Sequence, residues 1–273
     1  MRTAITYASF IFLLTLLQSC GNNTTDKEFG KTIVLVNYKT VDRSAIANGI
    51  RLINKCKPKI IGINAVFIGS KDAIGDTLLA QAIRANKNVV LASNGNFERR
   101  LTTGDSLISS NSIFTRSCLA DGLIHFGYKN DVVSSHIPYR SVGEQLVWSY
   151  PITIASYFNM ELASKFMNDF LGDTYYEIVF GKNMDDFKIL EIDKLDQLKC
   201  EDLEGKIVLL GYLGPGNEDL FDTASSDNEK MYGTVITANI ILNLLNGGSI
   251  KQEDEVQDRE EKLPPTIAIK HVL

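Results

Sequence analysis

An α/β fold, with a mainly parallel sheet and helices on both faces, follows from three features of the sequence. Short, continuously apolar runs rich in β-branched residues recur along the chain, segments of helical spacing separate them, and the same alternation returns near the C-terminus. Strands that read as unbroken apolar runs are buried on both faces, and strand–helix–strand order brings parallel neighbours together through right-handed crossovers.

Residues 32–37 (Thr-Ile-Val-Leu-Val-Asn) are the first predicted strand, ending on the polar Asn37. Residues 44–55 place Ile46, Ile50, Leu52 and Ile53 at helical spacing, with Ser44 as the expected cap and Pro58 beyond the stop. Residues 59–67 form the next strand, residues 76–86 a helix with Leu79, Ala80 and Ile83 on one face, and residues 88–92 a third strand. In the middle, residues 122–128 and 132–137 flank Lys129-Asn130-Asp131 as the arms of a hairpin. Pro151 opens a helix predicted to run to Gly172 through Phe158, Phe166 and Phe170, aromatics at core spacing. Two short strands follow, 176–180 and 187–192. The α/β pattern then resumes with a strand at 206–211, a loop at 212–232 and a helix at 233–246 that Gly247-Gly248 stops.

The N-terminus reads as an export segment. Arg2 precedes an uncharged stretch from Ala4 to Leu17, shorter than the roughly 20 residues that span a bilayer and of the length of a signal-peptide core. Leu17-Gln18-Ser19-Cys20 resembles the lipobox of bacterial lipoproteins, in which the cysteine is lipidated and becomes the new N-terminus. The expected organisation is a signal peptide at 1–19, a polar tether at 20–30, a domain at 31–249 and a tail at 250–273 carrying Glu253, Asp254, Glu255, Asp258, Glu260 and Glu261.

A formal charge of −5 without a basic stripe gives no footprint for nucleic acid, and 44% hydrophobic residues are enough for a sizeable core. Cys56, Cys118 and Cys200 are too far apart to form paired zinc ligands. One disulfide among them is open to an exported chain, but buried reduced thiols are the preferred expectation. His125, His136 and His271 sit in no nucleophile or metalloprotease motif, so they read as structural or surface residues. Gly211-x-x-Gly-x-Gly lacks the lysine and hydroxyl of a nucleotide loop. No cofactor and no metal are expected.

Four segments resemble the second family of CHASE domains, extracytoplasmic sensor modules of bacterial histidine kinases, cyclases and related receptors. They are the strand at 59–67; the stretch at 76–83 with the strand at 88–92; Leu203-Glu204-Gly205-Lys206-Ile207-Val208-Leu209-Leu210-Gly211; and Asp219-Leu220-Phe221-Asp222-Thr223 with residues 231–239. The likeness spans most of residues 31–248. In place of the aspartates that the family usually carries at the ends of its first two strands stand Asn37 and Asn64, and its hairpin motif is reduced to Asp131-Val132-Val133-Ser134. The resemblance implies a sensory role. Family members usually continue into membrane-spanning and output segments, whereas this sequence stops at Leu273, so a separate membrane receptor or kinase partner is expected.

Ligands of open parallel sheets bind beyond the carboxyl ends of the strands. That edge is expected to collect Asn37, Asn64, Ser93, Asn94 and the loop with Gly211, Gly214, Asp219, Phe221 and Asp222. With amides where the family has carboxylates, a small neutral or anionic polar ligand is favoured over a metal. The plainer expectation for each of these residues is a turn or helix cap. The resulting expectation is a non-enzymatic sensory or ligand-binding lipoprotein of the cell envelope, held by Cys20 at the periplasmic face or the outer membrane. One alternative is an extracytoplasmic hydrolase using Asp219 and Asp222 in the loop from Gly211 to Asp222. The other is an interaction module without a ligand.

Overall fold

The computed structural model describes residues 29, 31–39, 42–96, 106–142, 145–161, 164, 170, 174–215, 219–225 and 230–247. The expectations for Cys20, the signal peptide, the tail and Phe166 lie outside the described residues.

The centre is a seven-stranded sheet. Four of its strands lie side by side in parallel, in the order β1 (Ile33–Asn37), β12 (Ile207–Gly211), β2 (Ile60–Ile63) and β3 (Val89–Asn96). Outside β1 lies β11 (Lys188–Glu191), also parallel. Beyond β3, the parallel β5 (Ala120–Leu123) pairs with its first half and the antiparallel β4 (Ser106–Ile108) with its last three residues.

Alternation along the strands explains why each apolar run is unbroken. Ile33, Leu35, Ile60, Val90, Ala92, Ile207 and Leu209 face one core, which is closed by helices α4 (Tyr150–Phe158) and α5 (Gly233–Leu245). Val34, Val36, Ile61, Ile63, Val89, Leu91, Val208 and Leu210 face a second core under α1 (Arg43–Lys55) and α2 (Ala73–Asn86). The short α3 (Ser112–Thr115) sets Phe114 into that second core. Two layers of helices thus leave no polar face on the central strands.

The outlying strands form hairpins. β6 (Phe126–Lys129) and β7 (Val132–His136) pair around Asn130 and Asp131, both at positive φ as a tight turn requires, and β10 (Tyr176–Glu177) extends the ribbon. β8 (Tyr139–Val142) pairs with β9 (Gln145–Trp148), and β13 (Leu220–Asp222) with β14 (Lys230–Tyr232).

Several boundaries differ from the sequence expectations. The cap of α1 is Asp42, whose carboxylate accepts from the amides of Ser44 and Ala45, so Ser44 is the second helical residue. α2 begins at Ala73, capped by Asp72, which places Asp76 inside the helix. The strand expected at 59–67 ends at Ile63, and the first hairpin arm divides, with Gly122 and Leu123 in β5 and Phe126 onward in β6. The helix from Pro151 is interrupted after Phe158, where Asn159 is extended, and helical backbone resumes at Met160 and Glu161. The expected loop at 212–232 contains the β13–β14 hairpin.

The preference for reduced thiols is overturned for two cysteines. Cys56 at the end of α1 and Cys200 are disulfide-bonded with Cα atoms 4.5 Å apart, and Cys118 remains reduced. Their wide separation in sequence gave no hint of this pairing, which the crossover through α1 and the turn before β12 creates.

Candidate functional site

The carboxyl ends of β1, β2 and β12 carry Asn37, Asn64 and Gly211, as the strand alternation predicts. Asn37 and Gly211 are direct register partners. The Asn37 side-chain oxygen accepts from the amides of Lys39 (3.2 Å) and Leu213 (3.1 Å), and its amide nitrogen donates to Glu191 on β11 (3.3 Å). It therefore ties together the exits of β1, β12 and β11. Asn64 donates to the Thr234 hydroxyl in the first turn of α5 at 2.9 Å. Gly211 lets that threonine approach, because a Cβ there would lie 1.8 Å from Thr234 Oγ1. The two asparagines thus join strand ends to the loop and to a helix start, a structural role wider than the turn caps expected as the plainer alternative.

Asn94 stands apart. It lies within β3 opposite Ile108, and its side chain accepts from the Gly95 amide at 2.8 Å. Phe221 is buried and meets Phe126 edge-on with centroids 5.6 Å apart. Asp222 is exposed and pairs across the hairpin with Lys230 at 3.5 Å. Asp219 and Asp222 therefore occupy opposite environments, one in the interior and one in solvent.

Asp219 is the unusual member. It is 5% exposed, its Oδ1 has no hydrogen-bond partner, and it sits at the start of α5, where its backbone carbonyl accepts from the Gly233 amide at 3.0 Å. Burial pushes its carboxyl up to about 8, against a smaller opposing pull from the Gly233 amide. Three tyrosines share its neighbourhood. Tyr38 and Tyr212 follow the adjacent ends of β1 and β12, Tyr38 donating its amide to the Gly211 carbonyl, and Tyr232 pairs with Leu220 beside Asp219. Tyr232 donates its hydroxyl to Gly214 (2.6 Å) and Tyr212 donates to Pro215 (2.8 Å), so both rings are anchored to the loop. Burial raises the Tyr38 and Tyr232 hydroxyls, and the negative charge of Asp219 adds to the effect on both.

Beneath this edge the hydroxyl of the fully buried Tyr150 is also unpartnered; it packs over Gly62, where a Cβ would lie 2.6 Å from the phenol oxygen. Ser93 and Thr237 add two more buried hydroxyls without partners. Such groups each cost free energy and concentrate at sites made for something other than stability.

The sequence reading took in Tyr212 as part of the edge loop without singling it out, and it missed Tyr38 and Tyr232. Tyr38 stands next to Asn37 and Tyr212 next to Gly211, so their position just past two strand ends was the available signal. The histidines lie elsewhere. His125 is hydrogen-bonded to Tyr175 at 2.8 Å and burial, then Arg140, pushes it down to about 3; burial takes His136 down to about 4. Neither is a useful base near neutral pH.

No curated protein and no solved structure matches the sequence. A family model for the CHASE2 domain matches residues 25–262. That match takes in both sheet faces, the hairpins and every residue of the carboxyl edge just described, and it places the chain in the CHASE2 family of extracytoplasmic sensory domains.

Proposed function

We propose that the protein is a non-enzymatic sensory lipoprotein of the cell envelope, anchored through Cys20, that binds a small polar molecule at the carboxyl edge of its sheet. Binding would be relayed by contact with a separate membrane receptor or kinase. The observation that carries the ligand site is the group of buried polar atoms without partners around that edge, Asp219 Oδ1 and the Tyr150 hydroxyl foremost. Ligands of open parallel sheets lie at this end, and a ligand supplying the missing hydrogen bonds recovers their desolvation cost.

A signal can leave this site along α5. Thr234 in its first turn is held by Asn64, and further along the helix Asn239 accepts from the amides of Gly181 and Lys182 and donates to the Lys182 carbonyl. Near its end, Asn243 bonds both backbone groups of Val179, an exposed residue. One rigid helix thus connects the edge to the surface segment at 179–182.

The Cys56–Cys200 disulfide supports an oxidising compartment. The test is a thermal-shift screen of the full chain in detergent against a metabolite library. A ligand at 100 times its dissociation constant adds about 2.7 kcal/mol, or roughly 5–10 °C for a domain of this size. A shift lost in Asp219→Asn or Tyr150→Phe is the expected result. A flat screen, with a stable partner recovered from membranes, would replace the sensor by an interaction module.

A further inference from the structure

Among the described residues two carboxyl groups are buried, and they are treated in opposite ways. Asp76 is met by the Arg43 guanidinium, the Ser70 hydroxyl (2.7 Å) and the Lys71 amide (3.1 Å). Burial alone would raise that carboxyl, but the arginine and the two other donors hold it below its usual value. Asp219 is as deeply buried, yet among the described residues no lysine or arginine pairs with it, and Oδ1 is unbonded. Close enough to interact with its charge instead are two tyrosines, Tyr38 after β1 and Tyr232 of β14, and Tyr212 after β12 interacts with both of them. The Tyr212 and Tyr232 hydroxyls are turned away into bonds with the Pro215 and Gly214 carbonyls, so they do not donate to the carboxyl.

Resting on the reading of this edge as the ligand site, we infer that the ligand class is an organic ammonium ion, with Asp219 as its counter-ion and the rings of Tyr38, Tyr212 and Tyr232 around its charge. A buried carboxylate lacks only a cation, and aromatic faces attract one through their quadrupoles. A divalent metal is a poor fit, since it needs several oxygen ligands and one carboxyl is present. Among the described residues no cluster of three His, Cys, Asp or Glu side chains gathers anywhere. This reverses the charge preference drawn from Asn37 and Asn64, whose side chains are occupied in bridging strand ends.

The chemistry of binding carries a signature. In the empty site the Asp219 carboxyl is protonated below about 8. An ammonium ion enters as the carboxyl ionises, so one proton leaves for each ligand bound. The titratable groups that interact with Asp219 among the described residues are Tyr38 and Tyr232, both held above the ordinary phenol value, and the amide end of α5 does not titrate, so the proton comes from Asp219. Affinity should therefore rise about tenfold per pH unit between about pH 6 and pH 7 and level off above about pH 8.

The experiment uses the full chain in detergent with n-butylammonium and tetramethylammonium chlorides, against n-butanol and sodium butyrate as uncharged and anionic counterparts. Calorimetric titration of the unmutated protein should show binding of an ammonium salt with that pH dependence. In Asp219→Asn, binding should weaken by about tenfold or more and lose its pH dependence. Binding of n-butanol or butyrate that survives Asp219→Asn would overturn the ammonium class while leaving a sensor at the sheet edge. An ammonium affinity independent of pH, or no binding by either ammonium salt, would overturn the inference; a library hit of another class would still uphold the sensor.

Discussion

At the scale of single residues, Asp219 sets a conflict between stability and binding. Its folded value of about 8 lies well above that of an exposed aspartate, so an unfolded chain ionises first as pH rises. The stabilising contribution of the neutral carboxyl is complete below about pH 4 and is lost as pH rises through 8. At pH 7 the imposed cost is of the order of 2–4 kcal/mol. Asp219→Asn removes the ionisation and should raise the unfolding midpoint at pH 7.5, with the gain shrinking toward pH 5. A midpoint lowered by Asp219→Asn would mean that the carboxyl is a structural cap. The buried histidines act in the other direction. His125 and His136 are pushed down to about 3 and 4, so the stability they give is present above about pH 6.5 and is lost on acidification toward those values. Unfolding measured across pH should therefore show wild type weakening from about pH 6.5 to 8, a limb absent in Asp219→Asn, and both proteins weakening below about pH 6. Gly211 offers a steric test beside the same site. Gly211→Ala drives a methyl into Thr234 Oγ1 and should destabilise by about 1–3 kcal/mol, detected by denaturant unfolding.

At the scale of elements, the buried Arg43–Asp76 pair fixes α1 against α2. The guanidinium also donates to the carbonyls of Ile68 and Gly69 and stands over the rings of Phe67 and Phe114 at 5.8 and 5.2 Å. Asp76→Ala strands a buried cation and should cost about 3–5 kcal/mol, read from denaturant midpoints, whereas exchanging both partners for apolar residues should cost far less. The sequence made Asp76 visible only as a helix start, because capping preference is a local signal and a partner on α1 is not. The same limit accounts for the other differences. β1, β2, β3 and β12 were legible because apolar runs report burial on both faces, and the end of α5 was legible through its terminal glycines. The β13–β14 hairpin was not, since three-residue strands such as Leu220–Asp222 and Lys230–Tyr232 carry no period long enough to recognise. At the edge, strand ends gave away Asn37, Asn64 and Gly211. Tyr38 and Tyr212 stand one residue past those ends and were within reach of the same signal, whereas Tyr232 and the isolation of Asp219 depend on what packs over the edge from β14 and α5, which no window of sequence contains.

For the whole molecule, the disulfide decides how the two ends of the sheet behave. Cys56 follows α1 and precedes β2, and Cys200 precedes β12, so the bond closes the amino end of the sheet, opposite the candidate ligand edge. It spans a sequence separation of 144. Loop-closure entropy for a loop of that length is worth about 5 kcal/mol in the chain-entropy model. Reshuffling is resisted, because the one remaining thiol in the described residues, Cys118, is pushed up to about 11, by burial first and Asp121 second, and is a poor nucleophile at neutral pH. Rigidity at the amino end and orphaned polar groups at the carboxyl end suit a sensor whose ligand reorganises one edge without loosening the sheet. Reduction, or Cys200→Ser, should therefore lower the unfolding midpoint by roughly 10–15 °C while leaving the affinity of an edge ligand within about twofold. Loss of that affinity together with stability would show the two ends to be coupled. An unchanged midpoint in reductant would show that the cysteines contribute nothing to the folded state and would remove the argument they supply for an oxidising compartment.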